Sequence, residues 1–332
     1  NFGSALAAFS LPLIALPFSD ATGWRLAAVL SGICCLIWAG VYFKFCPDAP
    51  NKGKDFPVDI HGVIEVTSYR DLVLQIIFLF PVYGAMALFI WKLSGNPFAL
   101  IPDSLALIFI LGMVVFFIWN AIRCWKANMP QLQHPVPKEK KYPFSQIAIL
   151  SLVYSLTFGS ELAVVSMFPQ FLQTTFSLSV GLAGTLGASY AFTNLFARPG
   201  GGWISDRFGR RRTLSIMVLG GMVSHWFMGE ISSDWQLTHA IALTVVGSIF
   251  LKAGNGACFA VIPLISRPLT GKLAGLAGAY GSIGAVSFLT LYSFVTPQIF
   301  FKVIASYAFL VFLSLIFLKP FPATPGGKRS EI

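Results

Sequence analysis

Ten apolar runs, each near the length that crosses a bilayer, follow one another along the sequence. They are Phe2–Phe18, Leu26–Phe43, Leu72–Trp91, Leu105–Ile122, Ile147–Phe168, Val180–Ile204, Leu214–Met228, Ala240–Pro263, Gly271–Leu289 and Ile299–Leu318. The hydrocarbon core is about 30 Å thick and takes roughly 20 apolar residues of helix. A backbone in lipid must satisfy its own hydrogen bonds, which leaves only helices and closed barrels. None of the runs alternates with the period of two that a barrel strand needs. The expected fold class is therefore an all-α polytopic membrane protein with about ten transmembrane helices. Composition agrees, since 56% of residues are hydrophobic and 11% charged, against about 25% charged in a soluble domain. Such a chain cannot clothe a water-facing surface, so a soluble enzyme or a nucleic-acid binder is a poor reading despite the net charge of +10.

That charge has a pattern. With the connections numbered alternately, eighteen of the 23 Lys and Arg fall in one set and three, Arg25, Lys92 and Lys302, in the other. Excess Lys and Arg marks cytoplasmic loops. The split predicts a multi-pass protein of the plasma (inner) membrane with a cytoplasmic C-terminus. It also checks the crossing count, because one missed span would scramble it. The third and fourth runs can be dropped together without changing the parity. The Pro- and Gly-bearing stretch from Pro47 to Asp71 and the Lys-rich Met129–Tyr142 read as solvated connections.

The five Cys and four His form no CxxC, HExxH or mixed cluster. Neither a metal, a cofactor nor an enzymatic centre is expected on that pattern. The first residues, Asn1-Phe2-Gly3-Ser4, already read as the interior of a helix, so the chain is expected to be the later part of a longer protein.

Motifs narrow the reading. Gly202-Trp-Ile-Ser-Asp206-Arg207-Phe-Gly209-Arg210-Arg211-Arg212 closes the sixth run in a short basic loop. It resembles the signature loop of the major facilitator superfamily, G-x-x-x-D-R-x-G-R-R. The resemblance implies a conformational latch at Gly202, Asp206, Arg207, Gly209 and Arg210, with no substrate contact. Gly275-Leu-Ala-Gly278-Ala-Tyr-Gly281-Ser-Ile-Gly284 is similar to the glycine-rich signature of the nitrate/nitrite porter family. Ala253-Gly-Asn255-Gly256-Ala-Cys-Phe259 resembles the helix before that signature, and Leu195-Phe-Ala-Arg198-Pro199-Gly-Gly-Gly202 the helix leading into the loop. The resemblance implies a twelve-helix protein in two halves. Residues 1–46 would be the last two helices of the first half. Residues 47–144 would be a central linker with an extra hairpin at 72–122, and residues 145–332 the six-helix second half.

Ionisable residues inside a span are costly, and hence functional candidates. Three stand out: Glu161, Arg198 and Lys252. Arg198 lies eight residues before Asp206, roughly 12 Å into the membrane at 1.5 Å per residue. Its planar fork suits a planar oxyanion, and the resemblance implies that it binds nitrate or nitrite. Pro199 and the three glycines after it predict a locally irregular helix there. Tyr154, Phe158 and Glu161 share one helix face, and the resemblance places Tyr154 and Phe158 beside the anion. Asn255 shares a face with Lys252 and Phe259, while Gly278 and Gly281 clear space along the path. Glu161 and Lys252 are coupling or charge-relay candidates, Glu161 either as a proton carrier or as a counter-ion.

The implied function is secondary transport of nitrate or nitrite by alternating access, with the lipid bilayer and protons as further partners. The alternatives are a facilitator permease for another small anion or an organic solute, or a fragment that does not transport because the resemblance places a second arginine in the first four helices of the first half, which this sequence lacks.

Overall fold

The computed structural model describes residues 20–46, 63–95, 99–134 and 141–320, together with Ala7, Ser10, Leu11 and Ile14. The elements among the described residues are helices. They are α1 Asp20–Phe45, α2 Tyr69–Ile77, α3 Phe80–Ser94, α4 Asp103–Leu132, α5 Phe144–Phe176, α6 Val180–Phe192, α7 Asn194–Phe208, α8 Arg210–Met228, α9 Leu237–Ile265, α10 Thr270–Tyr292 and α11 Pro297–Ser314, the last followed by a 3-10 turn at Leu315–Phe317. Among the described residues, seven stretches are long and apolar enough to cross a membrane: Thr22–Phe45, Tyr69–Ser94, Asp103–Leu132, Phe144–Phe176, Leu237–Ile265, Thr270–Tyr292 and Pro297–Phe317. Together with the family match given below, they make this a multi-pass membrane protein.

The difference from ten has local causes. The run at Phe2–Phe18 lies almost entirely outside the described residues. The run at Val180–Ile204 is divided at Thr193 into helices of 13 and 15 residues. The run at Leu214–Met228 is helical, but its helix begins with Arg210, Arg211 and Arg212. One expectation is corrected here. The irregularity foreseen at Pro199 falls instead at Thr193, and α7 runs unbroken through Pro199 and Gly200–Gly202.

Helix α5 is the most enclosed of the spanning helices and packs against α10 and α9; α9 also packs against α7 and α8. Two contacts use glycine as a surface. A Cβ added at Gly159 would stand 2.7 Å from the Gly284 carbonyl carbon, and one at Gly284 would strike the Ser155 carbonyl. On the other seam, Gly201 meets the Ala253 backbone and Gly256 the Arg198 carbonyl, with no room for a methyl at either. Small residues let membrane helices approach to backbone contact, where van der Waals packing holds them.

The hairpin α2–α4 is largely exposed, yet it is fixed to this bundle. Helices α2 and α3 part at Phe78–Leu79, and the Phe78 carbonyl accepts the Tyr280 hydroxyl of α10 at 2.6 Å. At one end, Asn128 Oδ1 accepts from Val66 N at 2.8 Å, Asp71 Oδ1 from Phe144 N at 3.0 Å, and Lys272 Nζ donates to Val63 O at 3.2 Å. At the other end, Trp91 stacks on Phe294 at 5.8 Å, with Lys92 Nζ 4.0 Å from the same ring. Connections assigned to the basic set thus meet at one end, and Lys92 lies at the other.

The glycine seam yields a paired prediction. Gly284→Ala drives a methyl into the Ser155 backbone and should destabilise the protein by about 1–3 kcal/mol, the usual cost of overpacking. Gly275→Ala, whose added Cβ meets nothing within 4 Å, should leave thermal unfolding unchanged. Melting of both variants in detergent checks the contrast.

Candidate functional site

The three intramembrane candidates come together on three helices, α5, α7 and α9. Glu161 of α5 is 4% exposed, and its carboxylate is fully engaged. Oε1 accepts from Asn194 Nδ2 at 2.5 Å and Oε2 from Asn255 Nδ2 at 2.7 Å. Arg198 Nη2 stands 3.7 Å from Oε2. A buried charge is tolerable only when it is paired and hydrogen-bonded, and this carboxylate has both kinds of partner.

Arg198 takes part in a second set of contacts. Its Nη2 donates to the Tyr154 hydroxyl at 3.3 Å, and its guanidinium carbon lies 5.3 Å from the centre of the Phe158 ring. Tyr154 and Phe158 stack at 5.1 Å with an interplanar angle of 5°. They do so because they stand four residues apart on one helix, where side chains overlie. Phe259 of α9 closes on Tyr154 edge-on at 4.8 Å. Behind the stack lies Gly281, where an added Cβ would come within 2.7 Å of both rings. A cavity of about 200 Å³ remains, lined by Tyr154, Arg198, Asn255, Gly256 and Phe259. Arg198 Nε is buried and finds no acceptor among the described residues.

Gly278 is placed differently from Gly281. A Cβ there would meet nothing within 4 Å, so it faces open space instead of supporting the rings. Lys252 is fully buried in α9, but its ammonium is directed at the backbone carbonyl of Tyr190 and at Thr193 Oγ1, the latter at 3.1 Å. Two residues absent from the predicted site belong to it. Phe259 was visible as a member of the Lys252–Asn255 face. Asn194 stands four residues before Arg198 on the same helix face, a spacing that would have found it.

The basic loop is built as a clasp. Gly209 takes φ +99°, a conformation open to glycine. The turn brings Arg210 back onto Asp206 in an ion pair, and Arg210 Nη1 also reaches the Ala260 carbonyl of α9 at 3.2 Å. Arg207 lies over the rings of Trp203 and Phe208. Gly202 faces the Gly256 carbonyl. The latch residues thus join the end of α7 to both α8 and α9.

Comparison with known proteins gives the same direction. Residues 150–331 match the Major Facilitator Superfamily. The chain is 35% identical over 328 residues to the nitrate/nitrite transporter NrtP of Nostoc punctiforme, covering 96% of this chain and 65% of that protein. It is 34% identical over 326 residues to NrtP of Picosynechococcus, covering 88% and 59%. Over 161 residues it is 38% identical to the high affinity nitrate transporter 2.5 of Arabidopsis thaliana, covering 46% of this chain and 30% of that protein. The chain therefore spans less than two thirds of the length of these relatives.

The Glu161 cluster generates its own prediction. Glu161→Ala would leave the Asn194 and Asn255 amides and Arg198 without their shared acceptor, and should cost about 3–5 kcal/mol, as breaking a buried pair does. Glu161→Gln, which keeps the shape and one carbonyl acceptor, should cost clearly less. Equal melting temperatures for the two variants would argue that the carboxylate is not the centre of the cluster.

Proposed function

The chain belongs to the major facilitator superfamily, and from that premise we propose that it is the later part of a secondary transporter carrying nitrate or nitrite. The observation that carries the proposal is the cavity in which Arg198, backed by the Tyr154–Phe158 stack, faces open volume with its Nε lacking an acceptor. A planar guanidinium offers parallel donors that match a planar oxyanion. The Tyr154 hydroxyl adds a donor of fixed direction, and the aromatic walls exclude water and so strengthen the electrostatics.

Glu161 Oε2 stands 3.7 Å from Arg198 Nη2, and we read Glu161 as the counter-ion of the anion-binding arginine. The carboxylate oxygens accept from the Asn194 and Asn255 amides and face Arg198, contacts that support this role over that of a coupling proton carrier. Residues 1–46 belong to one half of the transporter and 145–332 to the other, with the 72–122 hairpin in the linker between them. The protein sits in the plasma (inner) membrane with its C-terminus cytoplasmic, and the halves rock around the midplane site. The Asp206–Arg210 loop latches one end during that cycle. Binding and release without covalent chemistry suffice, so no enzymatic step is assigned.

Reconstitution in proteoliposomes tests this. Nitrate uptake should be competed by nitrite and not by chloride. Arg198→Lys keeps the charge but loses the fork and should reduce uptake at least tenfold, since one well-placed charge-assisted bond is worth about 1.5–3 kcal/mol. Full uptake by that variant would remove Arg198 from the site. If Glu161 is only a counter-ion, Glu161→Gln should leave the pH dependence of whatever uptake remains unaltered. Loss of pH-driven accumulation in that variant would instead assign Glu161 the proton.

A further inference from the structure

Lys252 is a buried cation that the anion site does not use. It lies in the middle of α9 with no exposed surface. Its ammonium meets the break between α6 and α7. Tyr190 is one of the last four residues of α6, whose carbonyls have no partner within their own helix. Three side chains take up the Tyr190 carbonyl: Lys252 Nζ, Thr193 Oγ1 at 2.9 Å and Ser248 Oγ at 3.1 Å. Lys252 also donates to Thr193 Oγ1 at 3.1 Å and sits 4.6 Å from the Tyr190 ring centre. The Thr193 and Ser248 hydroxyls stand against each other, and each gives its single proton either to the Tyr190 carbonyl or to its neighbour. A broken helix is stable in a membrane only where neighbouring groups satisfy the freed backbone, and α9 supplies those groups from Ser248 and Lys252.

Position gives the cluster a consequence. Immediately past the break come Asn194, which holds Glu161, and one turn later Arg198. Helix α9 thus grips α7 at successive levels: Lys252 at the break, Asn255 through Glu161, and Gly256 against the Arg198 carbonyl. Arg198 is carried on α7, so the direction in which α7 leaves the Thr193 junction sets the base from which its fork extends.

We propose that Lys252 is a positioning residue, a clasp that fixes the Thr193 break and thereby aims Arg198 into the anion cavity. It does not touch the anion. The effect on anion affinity rests on the transport reading above; the clasp itself does not.

The test measures geometry and affinity separately. Spin labels at the exposed positions Leu182 on α6 and Trp203 on α7, in a background free of native cysteines, report the distance across the break. In Lys252→Met, which fills the space but donates nothing, the distance distribution should shift or broaden, and the nitrate KM should rise about tenfold with kcat reduced less. Lys252→Gln lacks the charge but keeps an amide donor, so it should retain the wild-type distribution and a KM within about threefold. Thr193→Val removes the hydroxyl and keeps the lysine; it should move both readouts in the same direction as Lys252→Met and guards against a Met variant that fails to fold. An unchanged distance in Lys252→Met overturns the clasp. So does an equal rise in KM for the Met and Gln variants at unchanged distance, which would make the lysine's charge the operative property. Failure of the wild-type protein to take up nitrate would sink the transport reading while the distances still decide the clasp.

Discussion

The Glu161 carboxylate is the point on which the interior of this protein depends. In lipid there is no water to share the cost of a buried charge, so each polar group must find its partner within the bundle. Glu161 finds three, on two helices other than its own. Those contacts register α5, α7 and α9 against one another along the membrane normal, which apolar packing alone specifies weakly because lipid tails compete for the same surfaces. Arg198 is held near Glu161 and Tyr154 without being consumed by either, and the cavity exists because that registration holds.

Glycine supplies the complementary constraint. Polar pairs fix the register, and the Gly159–Gly284 and Gly201–Ala253 seams fix the separation. Side chains as short as Asn194 on α7 and Asn255 on α9 reach Glu161 on α5. A wider bundle would need longer, more flexible donors at higher entropic cost.

Much of this was legible in the sequence. Helical class follows from hydropathy, because in lipid that quantity leaves few structural options; the family resemblance pointed to Arg198, Tyr154 and Phe158, and the structure brings them together with Asn255. The break at Thr193 was not legible. Pro199 and the following glycines carry the usual local signal for irregularity, but the break is set by donors on a distant helix, Ser248 and Lys252, and non-local satisfaction has no local signature. The separate fates of Gly278 and Gly281 were hidden for the same reason. Both belong to one stripe, yet the drift of about 60° per three-residue step turns one toward the rings and the other toward open space. The docking of Tyr280 onto Phe78 likewise pairs residues far apart in the chain.

The wall behind the aromatic stack has an evolutionary corollary. Gly281 meets Tyr154 and Phe158 with bare backbone, so every available mutation there enlarges the residue and pushes the rings forward. That wall offers selection no graded adjustment. Reshaping the cavity would have to proceed through α9, where Asn255 and Phe259 carry side chains that can be shortened or exchanged. Differences in the shape of this cavity among close relatives should therefore be recorded at those two positions, with residue 281 held still.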